Sequence, residues 1–185
     1  MFDPIAYWQH RGEQYESRFH GSDQYAAQEL RIAALAESLR PSSVLEVGCG
    51  FGRITQIISP HVGRYVAIDV SQHQIAAAEA KTVNVEYHQV ALQDFRSDES
   101  FDLVLAVEVL MHIPPTQIVD AINRLCGLSS RYVLICDWAF PIERHVAEHN
   151  WLHPYADLFV AALDHAAMQF ERIDHQLLLL IDKGA

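Results

Sequence analysis

The chain has 185 residues, half of them hydrophobic, and a formal net charge of −11. This length and composition predict one globular domain, residues 1–185, and exclude a disordered chain. No apolar run reaches the roughly 18 to 20 residues of a membrane-spanning helix, and the acidic balance disfavours a surface that tracks nucleic-acid phosphates. The opening M-F-D-P-I-A-Y-W lacks the layout of a secretory signal, and three irregularly spaced cysteines favour free thiols in a reducing cytoplasm.

Residues 1–40 predict a helical cap of two helices, over residues 2–20 and 24–39. Tyr7, Arg11 and Tyr15 recur at spacings of four, so a helix would place them on one face. Two interpretations stay open for the first helix. It either packs on the sheet edge as an amphipathic helix, or forms a lid that brings Tyr7 and Arg11 to a bound cofactor and Tyr15 to a substrate.

The next stretch is a strand that runs directly into a glycine-rich turn. Residues 43–47 have strand character, and Gly48-Cys49-Gly50-Phe51-Gly52 follows before a helical pattern begins at Arg53. Glycines allow sharp turns and close approach to a ligand, and the following helix presents unpaired N–H groups there. The spacing differs from the G-x-G-x-x-G motif of dinucleotide sites, and Glu46 suits a cationic ligand better than a pyrophosphate.

Alternating strand and helix patterns continue to the end of the chain. The predicted strands cover residues 65–68, 83–88, 101–107 and 131–136, and the predicted helices cover 53–59, 72–81, 115–126 and 155–166. Gly127 is expected to end the helix that begins at 115. Two strand-like runs within 168–183, with a turn near Asp174, predict an antiparallel hairpin. The pattern is typical of an α/β fold, a doubly wound and mostly parallel sheet with helices on both faces. Within it, 41–138 form a cofactor-binding core and 139–185 a substrate loop, helix and hairpin.

Ligands of such sheets bind beyond the carboxyl ends of the strands. The residues at those ends include Asp69 after the second strand and Glu108 and His112 after the fourth. A carboxylate at Asp69 can accept two hydrogen bonds from a ribose diol. Its alternative role is to cap the alanine-rich helix that follows. Its position at the end of a buried strand favours the diol.

Three ordered motifs resemble those of the class I S-adenosylmethionine-dependent methyltransferases. They are V-L-E-V-G-C-G-F-G-R at 44–53, V-A-I-D-V-S at 66–71 and F-D-L-V-L-A-V-E-V-L-M-H-I-P at 101–114. The terminal hairpin is also similar. The resemblance implies a seven-stranded sheet with an antiparallel last strand. It also implies S-adenosyl-L-methionine as methyl donor and S-adenosyl-L-homocysteine as product.

The resemblance also assigns a cofactor site residue by residue. The loop would surround the amino-acid end of the cofactor and Glu46 would orient that loop, while Asp69 would hold the ribose. Val70 and Leu92 would flank the adenine, and the backbone near Glu108 would meet the methionine portion. The loop residues concerned are Gly48, Cys49, Gly50, Gly52 and Arg53.

One position departs from the family pattern. Ala91 stands where relatives often have an acid that accepts from the adenine amino group. Gln93, Asp94, the backbone or water would then meet that group. Losing one such hydrogen bond would weaken binding by about 1 to 2 kcal/mol without abolishing it.

The acceptor end is less defined. A sulfonium methyl is already activated, so positioning dominates, and a general base matters for an alcohol or ammonium acceptor. The candidate bases are His112, His149, His153 and Asp137, and Trp138 and Tyr155 are candidate substrate contacts. Residues 139–155 form either a wall of the acceptor pocket or a solvated loop. We expect no metal site there, because Trp151 and Pro154 interrupt any helix that would align the histidines.

The sequence therefore predicts a methyltransferase acting on an O or N atom of a small molecule. A sugar-containing natural product, a lipid precursor or a polar metabolite would fit. The alternatives are an RNA or protein methyltransferase, a non-catalytic cofactor-binding relative and a nicotinamide-dependent enzyme. We expect a cytoplasmic protein that binds no nucleic acid and does not insert into membranes.

Overall fold

The computed structural model describes residues 3–19, 25–139, 149–163 and 165–184, with side chains of 13–19 excepted. The helices are α1 Pro4–Phe19, α2 Ala26–Leu39, α3 Thr55–Ile58, α4 Gln72–Glu79, α5 Ile118–Leu128 and α6 Tyr155–Ala162. The strands are β1 Ser43–Val47, β2 Arg64–Asp69, β3 Val85–Gln89, β4 Phe101–Val107, β5 Ser129–Trp138, β6 Ala167–Ile173 and β7 Gln176–Asp182. Short 3-10 turns occupy Ser59–His61 and Leu110–His112. No helix within these ranges is long and apolar enough to cross a bilayer.

The seven strands form one sheet in the order β3-β2-β1-β4-β5-β7-β6. Strands β1 to β5 pair in parallel, whereas β7 runs antiparallel to both β5 and β6. This arrangement confirms the predicted fold class, including the terminal hairpin. The winding reverses between β1 and β4, which is where open α/β sheets bind ligands.

Both faces of the sheet are buried under helices. One face packs against α5 and α6, through residues such as Ile122 and Phe159. The other packs against α2, α3 and α4, through residues such as Ile32, Ile58 and Ile75. Strands covered on both sides need apolar residues at every position, which explains the uninterrupted runs read from the sequence.

Two predicted boundaries were wrong near the end of the parallel region. Helix α5 begins at Ile118 and continues through Gly127 to Leu128, because Pro114 starts a separate turn closed by the Gln117 amide at 2.8 Å. Strand β5 runs on to Trp138, because β7 pairs with it as far as Asp137 and Trp138. Those two residues therefore lie within the strand and not in the loop after it.

Candidate active site

A cavity of about 190 Å³ opens at the carboxyl ends of β1, β2 and β4. It brings together most of the residues predicted for the cofactor, and one predicted base. These are Glu46, Gly48, Cys49, Gly50, Arg53, Asp69, Val70, Leu92, Glu108 and His112. The ends of three neighbouring strands thus converge on one space, as the reversal of winding predicts.

The glycine-rich turn after β1 shapes one wall of this cavity. Gly48, Gly50 and Gly52 all have positive φ, at 69°, 54° and 83°. An added Cβ would lie 2.4 Å from Val109 Cγ2 at Gly48 and 2.9 Å from Ala78 Cβ at Gly52. At Gly50 the nearest atom would be 3.5 Å away, so its missing side chain leaves the wall open. Gly52 does not line the cavity and instead lets the turn pack on α4.

Glu46 is almost fully buried beside this turn. Its Oε2 accepts hydrogen bonds from the hydroxyls of Thr55 at 2.5 Å and Tyr65 at 2.8 Å. Burial raises the pKa of Glu46 to about 7, although both hydroxyl donors oppose that shift. The carboxyl group therefore holds the start of α3 against β2 while it lines the cavity.

Asp69 at the end of β2 fixes the turn from the other side. Its Oδ2 accepts from the Gly50 amide at 2.9 Å, and its Oδ1 accepts from the Ser71 amide at 2.8 Å. Burial raises the pKa of Asp69, opposed by these backbone donors. Ser71, and not Asp69, is the N-cap of α4. A carboxylate has about four acceptor positions, so Asp69 retains capacity for a ligand.

Arg53 and Glu108 form a charged pair in the part of the cavity where the methionine portion of the cofactor is predicted to bind. The Arg53 guanidinium lies 3.2 Å from Glu29 Oε1 and 3.5 Å from Glu108 Oε2, and 4.2 Å above the Tyr25 ring. Glu108, with φ of 57°, also accepts from Gln176 Nε2 at 2.8 Å. Burial raises the pKa of Glu108, while Arg53 opposes the shift. Two carboxylates thus neutralise the cation in this wall.

His112 follows β4 and faces the same space. Its Nδ1 lies 3.0 Å from the carbonyl oxygen of His149. Burial lowers the pKa of His112 to about 4, so the ring is neutral at pH 7. A carbonyl only accepts, so Nδ1 carries the proton and Nε2 has the lone pair.

The first turns of α1 cover the cavity near His112. Trp8 packs at 4.6 Å from the His112 ring, and Tyr7 stacks on His149 at 4.5 Å, centroid to centroid. We call Tyr7, Trp8, His112 and His149 the aromatic cluster. Pro4, Ile5 and Trp8 line the cavity, whereas Tyr7 and Arg11 lie outside its lining. Helix α1 therefore lies over the cavity, as in the lid interpretation. The side chain that it brings to the cavity is Trp8, and not the predicted Tyr7 or Arg11.

Five other predicted residues lie outside the lining of the cavity: Asp137, Trp138, His149, His153 and Tyr155. Asp137 is fully buried, and its carboxylate accepts from the amides of Val109, Leu110 and Met111 at 3.3, 2.9 and 3.3 Å. His153 Nε2 contacts the Ile113 carbonyl oxygen at 2.9 Å. These contacts hold the turn after β4 in place.

Two of these five residues, Tyr155 and Trp138, are predicted substrate contacts. Tyr155 is 1% exposed and packs in the core, and the Trp138 indole donates to Glu108 from β5. The Tyr15 side chain and residues 140–148 lie outside the described part of the chain.

Several side chains that line the cavity were not predicted from the sequence, among them Trp8, Tyr25 and Gln74. A helical spacing signal could have found Trp8, because Ile5, Trp8 and Gly12 recur at intervals of three and four on the buried face of α1. Ala91 and Gln93 also line the cavity near Leu92, so Gln93 remains available for the adenine amino group. Asp94 is not part of that lining.

Comparison with known proteins finds similarity to methyltransferases. Residues 44–129 match the family model described as a methyltransferase domain. The ubiquinone biosynthesis O-methyltransferase of Pseudomonas syringae pv. tomato is 30% identical over 105 residues, which cover 52% of this chain and 45% of that protein. The chain thus spans less than half the length of this curated relative.

Solved structures match over nearly the whole chain. The N-methyltransferase NodS from Bradyrhizobium japonicum, in complex with S-adenosyl-L-homocysteine, has a TM-score of 0.80 at 19% identity and covers 99% of this chain and 100% of its own. The sugar N-methyltransferase KedS8 from Streptoalloteichus sp. has a TM-score of 0.74 at 17% identity, with 91% of each chain covered. The fold is that of the class I methyltransferases, and residues 44–129 carry their domain signature. The resemblance predicted from the three motifs is confirmed.

Proposed function

We propose that the protein is an S-adenosyl-L-methionine-dependent methyltransferase that acts on an O or N atom of a small molecule. The observation that carries the proposal is the cavity itself. It has the open Gly50 wall and Asp69 at one end, and His112 beneath Trp8 at the other. A bound donor would reach from the first end toward the second.

The residues present fit this cofactor better than a dinucleotide. Three carboxyl groups line the cavity, on Glu46, Asp69 and Glu108, and the cation there, Arg53, is paired with Glu29 and Glu108. Acidic walls attract a ligand that carries a sulfonium and an ammonium group, and they repel a pyrophosphate. Gly50 lets the backbone approach the ligand without a side chain in the way.

Each part of the site would have a separate task. When bound, S-adenosyl-L-methionine supplies a methyl group that is already activated by its sulfonium. Asp69 would hold the ribose, and Val70, Leu92 and Gln93 would hold the adenine. His112 Nε2 would accept a hydrogen bond from the acceptor hydroxyl or amine and so orient its lone pair. Trp8 would cover the acceptor end and exclude water.

A small acceptor fits the dimensions of the site. Trp8 and His112, two members of the aromatic cluster, line the cavity, whose volume is about 190 Å³. One of the compared enzymes is named for ubiquinone biosynthesis and another for sugar N-methylation, and both names concern small molecules. The net charge of −11 disfavours an RNA acceptor. Three free, buried cysteines are consistent with the cytoplasmic location we propose.

The test is transfer of a labelled methyl group from S-adenosyl-L-methionine to separated metabolite, RNA and protein fractions. We expect label in the metabolite fraction alone, and label in RNA or protein would overturn the small-molecule assignment. Calorimetry with S-adenosyl-L-homocysteine provides an independent readout. Absence of binding at millimolar concentration, or tight binding of NADH, would overturn the methyltransferase assignment.

A further inference from the structure

Gln74 has a buried amide oxygen with nothing to accept from. The side chain is 4% exposed and lines the cavity from the first turn of α4. Its Oε1 has no hydrogen-bond partner among the residues that the structure describes. A buried acceptor without a donor is unfavourable, and such groups in folded proteins commonly await a ligand or water.

The direction of this oxygen is determined by the other end of the amide. Gln74 Nε2 donates to the Gly12 carbonyl oxygen of α1 at 2.5 Å. Only the NH₂ group can donate there, so Oε1 faces away from α1. It lies 3.5 Å from the position that a Cβ on Gly50 would occupy, on the open wall of the cavity.

A second acceptor also lies beside Gly50. Asp69 Oδ2 binds the Gly50 amide at 2.9 Å and has acceptor capacity left. The amide oxygen and the carboxylate therefore both lie next to one residue of the cavity wall. Two acceptors at such a place match a ligand with two adjacent hydroxyl donors.

We infer that Gln74 Oε1 accepts a hydrogen bond from one ribose hydroxyl of the cofactor while Asp69 accepts from the other. The inference rests on the proposed function, because it concerns the same cofactor. It also makes Gln74 a direct link between α1 and the ribose. The same carboxamide holds Gly12 through Nε2 and the ligand through Oε1, so ligand binding stabilises the docked position of the lid.

The experiment compares ligands that differ by one group. Calorimetry is performed on wild type, Gln74→Met and the control Gln56→Met. Gln56 also donates its amide to a glycine carbonyl, that of Gly52 at 2.9 Å, but it does not line the cavity. The ligands are S-adenosyl-L-homocysteine, 5′-methylthioadenosine, and the 2′-deoxy and 3′-deoxy forms of the latter.

Loss of one hydrogen bond predicts about tenfold weaker binding of S-adenosyl-L-homocysteine and methylthioadenosine alike to Gln74→Met. For one of the two deoxy ligands, the affinities of Gln74→Met and wild type should be equal, because that ligand lacks the hydroxyl group that donates to Gln74. Gln56→Met should bind every ligand as wild type does. Gln74→Glu keeps acceptor oxygens on a stem of equal length, so this variant should still bind methylthioadenosine more tightly than the deoxy form that lacks the hydroxyl donating to residue 74.

Three outcomes would overturn the inference and leave the proposed function intact. Loss confined to S-adenosyl-L-homocysteine would place the amide oxygen at the amino-acid end. An equal loss of affinity for methylthioadenosine and for both of its deoxy forms would mean that Gln74 acts only through its contact with α1. Unchanged binding would mean no contact. A wild-type protein that binds none of the ligands would overturn the proposed function, and the inference with it.

Discussion

At the residue scale, Asp69 carries the charge that distinguishes the ribose end of the cavity. Asp69→Asn keeps the shape of the side chain but loses the charge, and it can turn an NH₂ group toward the Gly50 or Ser71 amide. Charge-assisted hydrogen bonds contribute about 1.5 to 3 kcal/mol each, so we expect affinity for S-adenosyl-L-homocysteine to fall by about 2 to 4 kcal/mol. Calorimetry measures this change.

The matched control for Asp69 is Asp102. Its carboxylate accepts from the backbone and hydroxyl of Ser42, but at the opposite end of the sheet. Asp102→Asn should lower stability and leave the affinity unchanged. Equal effects of the two substitutions on affinity would show that Asp69 acts only by holding the fold together.

Two glycines of the turn are predicted to affect different properties. Substitution of Gly52 should mainly lower stability, and substitution of Gly50 should mainly weaken cofactor binding. Gly52→Ala would place a Cβ 2.9 Å from Ala78 Cβ at a φ of 83°, so we expect the free energy of unfolding to fall by about 2 to 3 kcal/mol. Gly50→Ala meets nothing closer than 3.5 Å and should cost about 1 kcal/mol of stability. Its methyl group would nevertheless stand on the cavity wall and weaken cofactor binding.

Urea unfolding and calorimetry on both variants test this pair. A Gly50→Ala protein that binds S-adenosyl-L-homocysteine as tightly as wild type would show that the ligand keeps away from this wall. A Gly52→Ala protein as stable as wild type would mean that α4 can move aside.

The chemistry at strand ends was predictable residue by residue, because the carboxyl ends of parallel strands must meet. Glu46, Asp69 and Glu108 follow that rule. Asp137 did not, because β7 extended the pairing of β5 by two residues and turned that carboxylate toward the backbone of the β4 turn. The role of Gln74 could not be predicted from the sequence. It depends on α1, whose Gly12 carbonyl accepts from Gln74 Nε2, while Gln74 Oε1 has no hydrogen-bond partner among the described residues.

At the scale of elements, the docking of α1 depends on Gly12. A Cβ there would lie 2.1 Å from Ser71 Oγ, so the two helices meet where a side chain is missing. Gly12→Ala should displace α1 from α4, and we expect faster proteolysis and hydrogen exchange in residues 4–19. Cofactor affinity should fall as well, because Trp8 and Gln74 lose their positions.

Gly127 is the control for this prediction. It also lies within a helix, α5, but a Cβ there would meet nothing within 4 Å. Alanine is favoured over glycine in helices by about 1 kcal/mol, so Gly127→Ala should raise the free energy of unfolding. If Gly12→Ala also raised it without exposing α1, the contact with Ser71 would not hold the lid.

The helices and strands themselves were easier to predict from the sequence than which of them lie next to one another in the fold. Continuous apolar runs indicated the parallel strands, and the absence of a helix between the last two runs indicated a hairpin. The insertion of β7 between β5 and β6 depends on pairing across distant parts of the chain, which periodicity does not report. The orientation of α1 likewise depends on the small residue that faces Ser71.

At the scale of the whole molecule, the sheet brings several carboxyl groups into one poorly hydrated region. Burial raises the pKa of Glu46 to about 7 and of Asp137 to about 8, and raises the pKa of Asp69 and Glu108 in the same direction. His112 shifts in the opposite sense, to about 4. These buried carboxyl groups, three of which line the cavity, therefore lower the stability of the folded protein when they are ionised.

The sign of the resulting pH dependence follows from proton binding. Between about pH 4 and 7 the folded protein keeps protons on Glu46 and Asp137 that the unfolded chain has released, so these groups reduce stability as the pH rises. The unfolded chain binds a proton at His112 between about pH 4 and 6.5, so this residue has the reverse effect in that range. The effect of His112 fades as the pH rises past 6.5, so the carboxyl groups dominate above about pH 7.

The ligand-free protein should accordingly lose about 2 kcal/mol of unfolding free energy between pH 6.5 and 8, measured by urea denaturation. Glu46→Gln keeps an oxygen that accepts from Thr55 and Tyr65 but cannot ionise, so it should remove about a third of that loss. Glu99→Gln, at an exposed carboxyl paired with Arg64, should leave the slope unchanged. A Glu46→Gln protein with the wild-type slope would mean that Glu46 is already ionised throughout this range. Saturating S-adenosyl-L-homocysteine should reduce the part of the wild-type slope that Glu46 contributes, because its ammonium group compensates negative charge in the cavity, and should leave the part that Asp137 contributes, since Asp137 does not line the cavity.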